Sequence, residues 1–111
     1  MKVTVRHREG VSILDLKGKI TIGVGDVAVR EAVIEALGAG AKNILLNLNG
    51  VTTIDSSGVG ELVSSYTTVT NRGGKLKVVN LPPKVADILQ VTQLITVFDV
   101  FDNEDEAVAA F

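Results

Sequence analysis

The stretch Ile54-Asp55-Ser56-Ser57-Gly58-Val59-Gly60-Glu61 sets a carboxylate, two hydroxyls and two glycines between an apolar run and a helical pattern. Hydroxyls in such company can cap a helix, attack as a nucleophile, or receive a group from another enzyme. One capping residue suffices for a helix start; Asp55, Ser56 and Ser57 offer three, and Asp55 is the preferred cap. Gly58 and Gly60 both cost helix stability, a local conflict of the kind that marks function. A missing Cβ at Gly58 is expected to let another surface approach closely. The nucleophile reading needs a base. His7 is the only histidine and falls on a strand beside a hairpin turn. The G-x-S-x-G elbow is also missing, because Ile54 stands where its first glycine belongs. A lone serine cannot activate itself, but it can accept a phosphoryl group from a kinase. That would add about −1.5 to −2 charges at a helix N-terminus beside Asp55. On residues alone, plain cap and phosphorylation switch stand equally open.

Other constellations carry less. Gly23-Val24-Gly25-Asp26-Val27-Ala28 matches the relaxed dinucleotide fingerprint G-x-G-x-x-A. Its lead-in is not a strongly apolar strand, and the next strand ends in Asn47 and Asn49 rather than an acid. A flexible loop and a capped helix start are expected there. Asp99, Asp102, Glu104, Asp105 and Glu106 miss the calcium-loop spacing. They read as a helix start, Asp102 capping and the acids complementing the helix dipole. No metal site and no cofactor is expected. Cysteine is absent, which removes disulfides and thiolate chemistry.

The elements that must position Asp55 and Ser56 alternate along the chain. Val3 and Val5 alternate with polar residues in an exposed strand, and Glu9-Gly10 turns it into a second strand over Val11, Ile13, Leu14 and Leu16. Residues 18–25 read as a loop with a short strand at Ile20–Ile22. Asp26 is placed as the cap of a helix carrying Val29, Val33 and Leu37, ended by Gly38 and Gly40. Ile44–Leu48 is a continuous apolar strand of the kind buried in a parallel sheet, followed by an Asn49-Gly50 turn. A helix from about Ser57 carries Val59, Leu62, Val63 and Tyr66, and Gly73-Gly74 stops it. Leu76–Val79 is a strand, Val85 to about Gln90 a helix, Ile95–Val100 a last strand and 102–111 a closing helix. The order β-β-α-β-α-β-α-β-α predicts an α/β fold, a hairpin leading into a mostly parallel sheet of four to five strands with about four helices. Ligands and partners of such sheets gather at the carboxyl ends of the strands. That edge should hold Asp55 and Ser56, together with Asn80, Leu81 and Pro82 after the next strand.

With 111 residues, a single domain over residues 1–111 is expected. The low aromatic content leaves the core to Val, Ile, Leu and Ala. A net charge near −2 with signs interspersed gives no electrostatic footprint for nucleic acid. No apolar run reaches the roughly 18 residues of a membrane helix, and the first residues carry no leader pattern. A soluble cytoplasmic protein without membrane insertion is expected.

The segment Asn47-Leu48-Asn49-Gly50-Val51-Thr52-Thr53-Ile54-Asp55-Ser56-Ser57-Gly58-Val59-Gly60 resembles the signature of STAS-domain anti-sigma factor antagonists, an apolar strand and short loop before D-S-[ST]-G-[LV]-G at a helix start. The resemblance runs through Asn71-Arg72-Gly73-Gly74 to the closing region. It implies a STAS-like fold and a protein that is a switch, not an enzyme. Ser56 would be the phosphorylated residue. The kinase would be the anti-sigma factor itself, a serine kinase with a histidine-kinase-like ATPase fold that brings ATP and Mg²⁺. Unphosphorylated antagonist would bind it and free a sigma factor, and a PP2C-type phosphatase would reset the phosphorylated form. Asp55, Ser56, Ser57, Gly58, Val59, Thr21 and Asn80 are the expected partner-binding positions. One departure is Gly18-Lys19-Ile20-Thr21, where Thr21 stands in place of an acid many members carry. Two other classes remain: a STAS scaffold or regulatory module of a stress-sensing complex or membrane transporter, and a nucleotide-binding module using the Gly23–Asp26 loop.

Overall fold

The computed structural model describes residues 1–111. Strands β1 (Lys2–Arg8) and β2 (Val11–Ile20) come first. They are followed by α1 (Asp26–Gly38), β3 (Asn43–Ile54), α2 (Ser56–Asn71), β4 (Lys75–Val79), α3 (Pro83–Val91), a 3₁₀ turn (Leu94–Thr96), β5 (Asp99–Phe101) and α4 (Glu104–Ala109). The sheet order is β1-β2-β3-β4-β5, with β1 antiparallel to β2 and every other pair parallel. A hairpin leading into a mostly parallel sheet with four helices is what the sequence pattern predicts. Arg8 pairs with Val11, and the two residues between them, Glu9 and Gly10, both take positive φ. Such a turn follows the twist of the strands it joins.

The monotonic strand order has a direct consequence. Right-handed crossovers that all advance in one direction place their helices on one face. Leu14, Leu16, Ile44, Leu46, Leu48, Leu76 and Val78 turn toward that face and form the main core with Val29, Val33, Leu62, Val69 and Leu89. Tyr66 and Phe98 meet edge to face there, 5.8 Å apart. The opposite face has only α4 to cover it. Ala107 and Val108 close over Val11, Ile13, Leu45 and Val79.

Four boundaries differ from the sequence reading. β2 runs to Ile20, so the expected loop from Gly18 is strand and the turn is confined to residues 21–25. β3 does not stop at Leu48. Asn49-Gly50 lies inside it, because Lys17 and Gly18 of β2 pair on with Gly50 and Val51, through register shifts, as far as Ile20 with Ile54. The expected strand at Ile95–Val100 is a 3₁₀ turn followed by a three-residue β5, the reversal being set by Gln93 at φ 62°. The closing helix is capped by Asn103, not Asp102; its Oδ1 accepts from the Glu106 amide at 3.1 Å.

The acids of the closing helix hold it to the sheet. Arg6 spans Asp15 (2.6 and 2.9 Å) and Glu104 (2.6 Å), and Arg8 reaches Glu104 and Asp105. Arg6 in turn holds the Asp15 and Glu104 carboxyls below their usual range, helped by Asn47 on Asp15 and by Arg8 on Glu104. No group of acids and histidines has the arrangement of a metal site.

Candidate functional site

The chain leaves β3 at Ile54 and enters α2 within one residue. Asp55 is extended (φ −114°, ψ −174°) and caps the helix, as expected. Its Oδ1 accepts from the Gly58 amide at 2.9 Å and its Oδ2 from the Ile22 amide at 3.1 Å. These amides hold the Asp55 carboxyl below the ordinary range, since they stabilise its charged form. Both oxygens are thus engaged, one with α2 and one with the turn after β2. The two serines are left free of capping. Ser56 is exposed and Ser57 half-buried.

Gly58 does something other than admit an outside surface. It is buried, and a Cβ there would collide with the Ile20 carbonyl oxygen and with Ile54 Cγ1. The surface that approaches it is the end of β2 in the same chain. Gly25 is pressed against Lys19 and Ile20 in the same way. The end of β2 is therefore gripped between the starts of α1 and α2. Gly60, by contrast, faces open space.

The turn after β2 closes on itself. The Thr21 carbonyl accepts from the Val24 and Gly25 amides at 3.0 and 3.2 Å. Asp26 is not the cap of α1 but its first residue, with Gly25 before it. Its Oδ1 accepts from the Gly23 and Val27 amides at 2.9 and 2.8 Å. The amides that would cradle a pyrophosphate in a dinucleotide fold are already taken, and Asp26 sits where the anion would be.

Apolar side chains are exposed on the same turn and at the start of α1. Ile22, Val24 and Val27 are 72%, 54% and 40% exposed. Through its amide hydrogen bond to Asp55, the residue before Ser56, Ile22 is tied to the start of α2. The signal was present as two aliphatic residues, Ile22 and Val24, inside a glycine-rich loop with no periodicity to bury them. Below it, Arg30 of α1 reaches Glu61 of α2 at 2.7 Å, and the Glu61 side chain is only 2% exposed.

Thr21, Asp55, Ser56, Ser57, Gly58 and Val59 are brought together, with Gly58 and Val59 buried beneath the exposed serine. Asn80 is not. It follows β4, which pairs with β3 only as far as Asn47, and its side chain donates to Asn47 Oδ1 at 3.2 Å. From Asn47 to Ile54 the strand climbs roughly 20 Å, so Asn80 sits far below the start of α2. His7 is exposed on β1, opposite Ser12, and has no part in this site.

Residues 2–107 match the model of the STAS domain. The anti-sigma F factor antagonist of Paenibacillus polymyxa is 29% identical over 108 residues, covering 96% of this chain and 92% of that protein. The crystal structure of a candidate anti-sigma factor antagonist from Thermotoga maritima superposes with a TM-score of 0.88 at 25% identity, covering 97% of this chain and 92% of the other. The Bacillus cell fate determinant SpoIIAA in its phosphorylated form has the same fold, with a TM-score of 0.74 at 20% identity and 98% of both chains covered.

Proposed function

Because this chain belongs to the STAS domain family, we propose that it is an anti-sigma factor antagonist switched by phosphorylation of Ser56. It is a regulatory binding protein and not an enzyme, in keeping with the antagonists it is similar to. The observation that carries the reading is the exposed Ser56 hydroxyl, released from capping by Asp55, whose carboxylate also holds the amide of the exposed Ile22.

In the unphosphorylated state this surface docks on the anti-sigma factor, a serine kinase, which then lets go of its sigma factor. Phosphoryl transfer forms a bond from Ser56 Oγ to the γ-phosphorus of the kinase's ATP and breaks the bond to ADP. The serine proton goes to a base on the kinase, since amide hydrogen bonds hold the Asp55 carboxyl below the ordinary range and make it a weak base. The product carries about two negative charges on the docking surface, beside the Asp55 carboxylate. Each ~1.4 kcal/mol of lost attraction weakens binding tenfold, so a few kcal/mol separates the bound and released forms. The start of α2 tolerates the phosphate within the chain, so the fold persists while the complex dissociates. A PP2C-type phosphatase restores the hydroxyl. The cycle takes place in the cytoplasm; no helix of the chain is long and apolar enough to cross a membrane. That SpoIIAA has a phosphorylated form supports the reading.

The test is intact-mass analysis after incubation with the cognate kinase, ATP and Mg²⁺. One phosphate is expected on the wild type and on Ser57→Ala, and none on Ser56→Ala. Ser56→Asp is expected to bind the kinase at least tenfold more weakly with unchanged circular dichroism. Phosphate retained in Ser56→Ala, or full affinity in Ser56→Asp, removes the switch as described.

A further inference from the structure

A second site lies away from Ser56. Between β1 and the C-terminal half of α1 is a groove of about 660 Å³, inside the roughly 300–1,000 Å³ range of small-molecule sites. Val3 and Val5 form its strand wall, and Ala32, Ala36 and Ala39 its helix wall. The bulkier residues of α1, Val29, Val33 and Leu37, are turned to the centre of the sheet and buried there. Small alanine side chains and Glu35 face β1, and the gap between helix and strand stays open. Val5 is 49% exposed as a result.

Three polar groups share this apolar groove: His7, Ser12 and Glu35. His7 and Ser12 are cross-strand partners with side chains on the same side of the sheet. Ser12 is the telling residue. It is only 7% exposed, and its hydroxyl forms no hydrogen bond within the protein. No side-chain nitrogen or oxygen sealed from solvent lacks a partner anywhere in the chain, so the Ser12 oxygen must open into the groove. Glu35, an exposed residue of the lining, makes no ion pair, and no lysine or arginine lines the groove.

We propose that this groove binds an aliphatic primary amine, its chain laid along Ala32, Ala36 and Ala39 and its ammonium group held by Glu35 and the Ser12 hydroxyl. The alanine wall admits a narrow chain rather than a bulky ring. The unpaired carboxylate selects a cationic head, and the Ser12 oxygen accepts from it while an acidic head would be repelled. Ala36 lies ten residues along α1 from Asp26, roughly 15 Å at 1.5 Å per residue, so the groove lies away from the turn before α1, and Ser56 belongs to a different helix, α2.

The experiment is an amide chemical-shift titration of the full chain with n-octylamine, 1-octanol and octanoate at neutral pH. Saturable shifts confined to residues 3–12 and 32–41 are expected, with octylamine about tenfold tighter than octanol and octanoate weakest. Glu35→Gln should erase the preference for the amine. Ser12→Ala should weaken octylamine roughly tenfold. Ala39→Leu, at an exposed position, should block the groove while thermal unfolding stays as in the wild type. Unsaturable or scattered shifts overturn the proposal. So does octanoate binding as tightly as octylamine, or an affinity that Ala39→Leu leaves untouched.

Discussion

Replacing Gly58 by alanine puts a methyl group where the start of α2 is pressed against the end of β2. Its Cβ would meet the Ile20 carbonyl oxygen, a backbone atom that cannot rotate away, and Ile54 Cγ1 at 2.7 Å. Overpacking of this kind costs about 1–3 kcal/mol, and the rigid backbone neighbour argues for the upper end. Alanine recovers about 1 kcal/mol of helix propensity. The expected net loss is therefore about 2 kcal/mol, a fall in Tm of roughly 8 °C for a chain of this size. Gly60→Ala is the control. Nothing lies within 4 Å of its added Cβ, so the propensity gain of about 1 kcal/mol should appear alone, raising Tm by about 4 °C. Urea and thermal unfolding followed by circular dichroism read both variants, and an unchanged m value shows that stability itself has moved. If Gly58→Ala stabilised the protein as Gly60→Ala does, the contact between α2 and β2 would be wrong, and with it the placement of Ser56.

Removing Arg30 leaves the buried Glu61 carboxylate without its ionic partner; discounted for the exposure of Arg30, Arg30→Ala is expected to cost about 1–2 kcal/mol in urea unfolding. Because Arg6 holds Asp15 and Glu104 below the ordinary carboxyl range, the folded chain takes up these protons less readily than the unfolded one. The stability this gives is complete above about pH 5 and falls as pH drops through the lowered values. Arg6→Ala should be less stable at neutral pH and lose less on acidification, which a series of urea titrations from pH 7 to about pH 3 would show. Ile22→Asp should weaken kinase binding at least tenfold in calorimetry, while stability stays within about 0.5 kcal/mol of wild type because the side chain is exposed.

The α/β alternation was legible because the strands under the helices are continuous aliphatic runs, Ile44–Leu48 above all, and because α2 and α3 carry apolar residues at helical spacing. The hairpin is legible in Glu9-Gly10, and capping chemistry favours Asp55 as the start of α2 while leaving open that it orients the Ser56 hydroxyl or holds a partner's metal. The second half of β3 is not legible. Asn49-Gly50 has the composition of a turn, and only the partner strand, running on through Gly18 to Ile20, keeps these residues extended. Without that extension Asn80 falls at the same edge as Ser56; with it, Asn80 lies at the level of Asn47. The three residues of β5 are too few to show any period. The glycines of the motif stand out by their helix cost, but which of them is pressed on its own chain depends on where β2 ends. The exposure of Ile22 and Val24 is likewise a property of the folded turn.

The Arg6–Glu104 and Arg8–Asp105 pairs join residues almost a whole chain apart. Closing a loop of that length carries an entropy penalty that grows only as its logarithm, about 4 kcal/mol by (3/2)RT ln n. It is recovered only once the strands between are in place. These two pairs are therefore expected to form late in folding and, made in part by exposed charges, to open early. Concentrated salt or mild acid should undock α4 first, laying bare Val11, Ile13, Leu45 and Val79 while the three-helix face stays intact. A partly opened molecule of this kind would self-associate through its uncovered back.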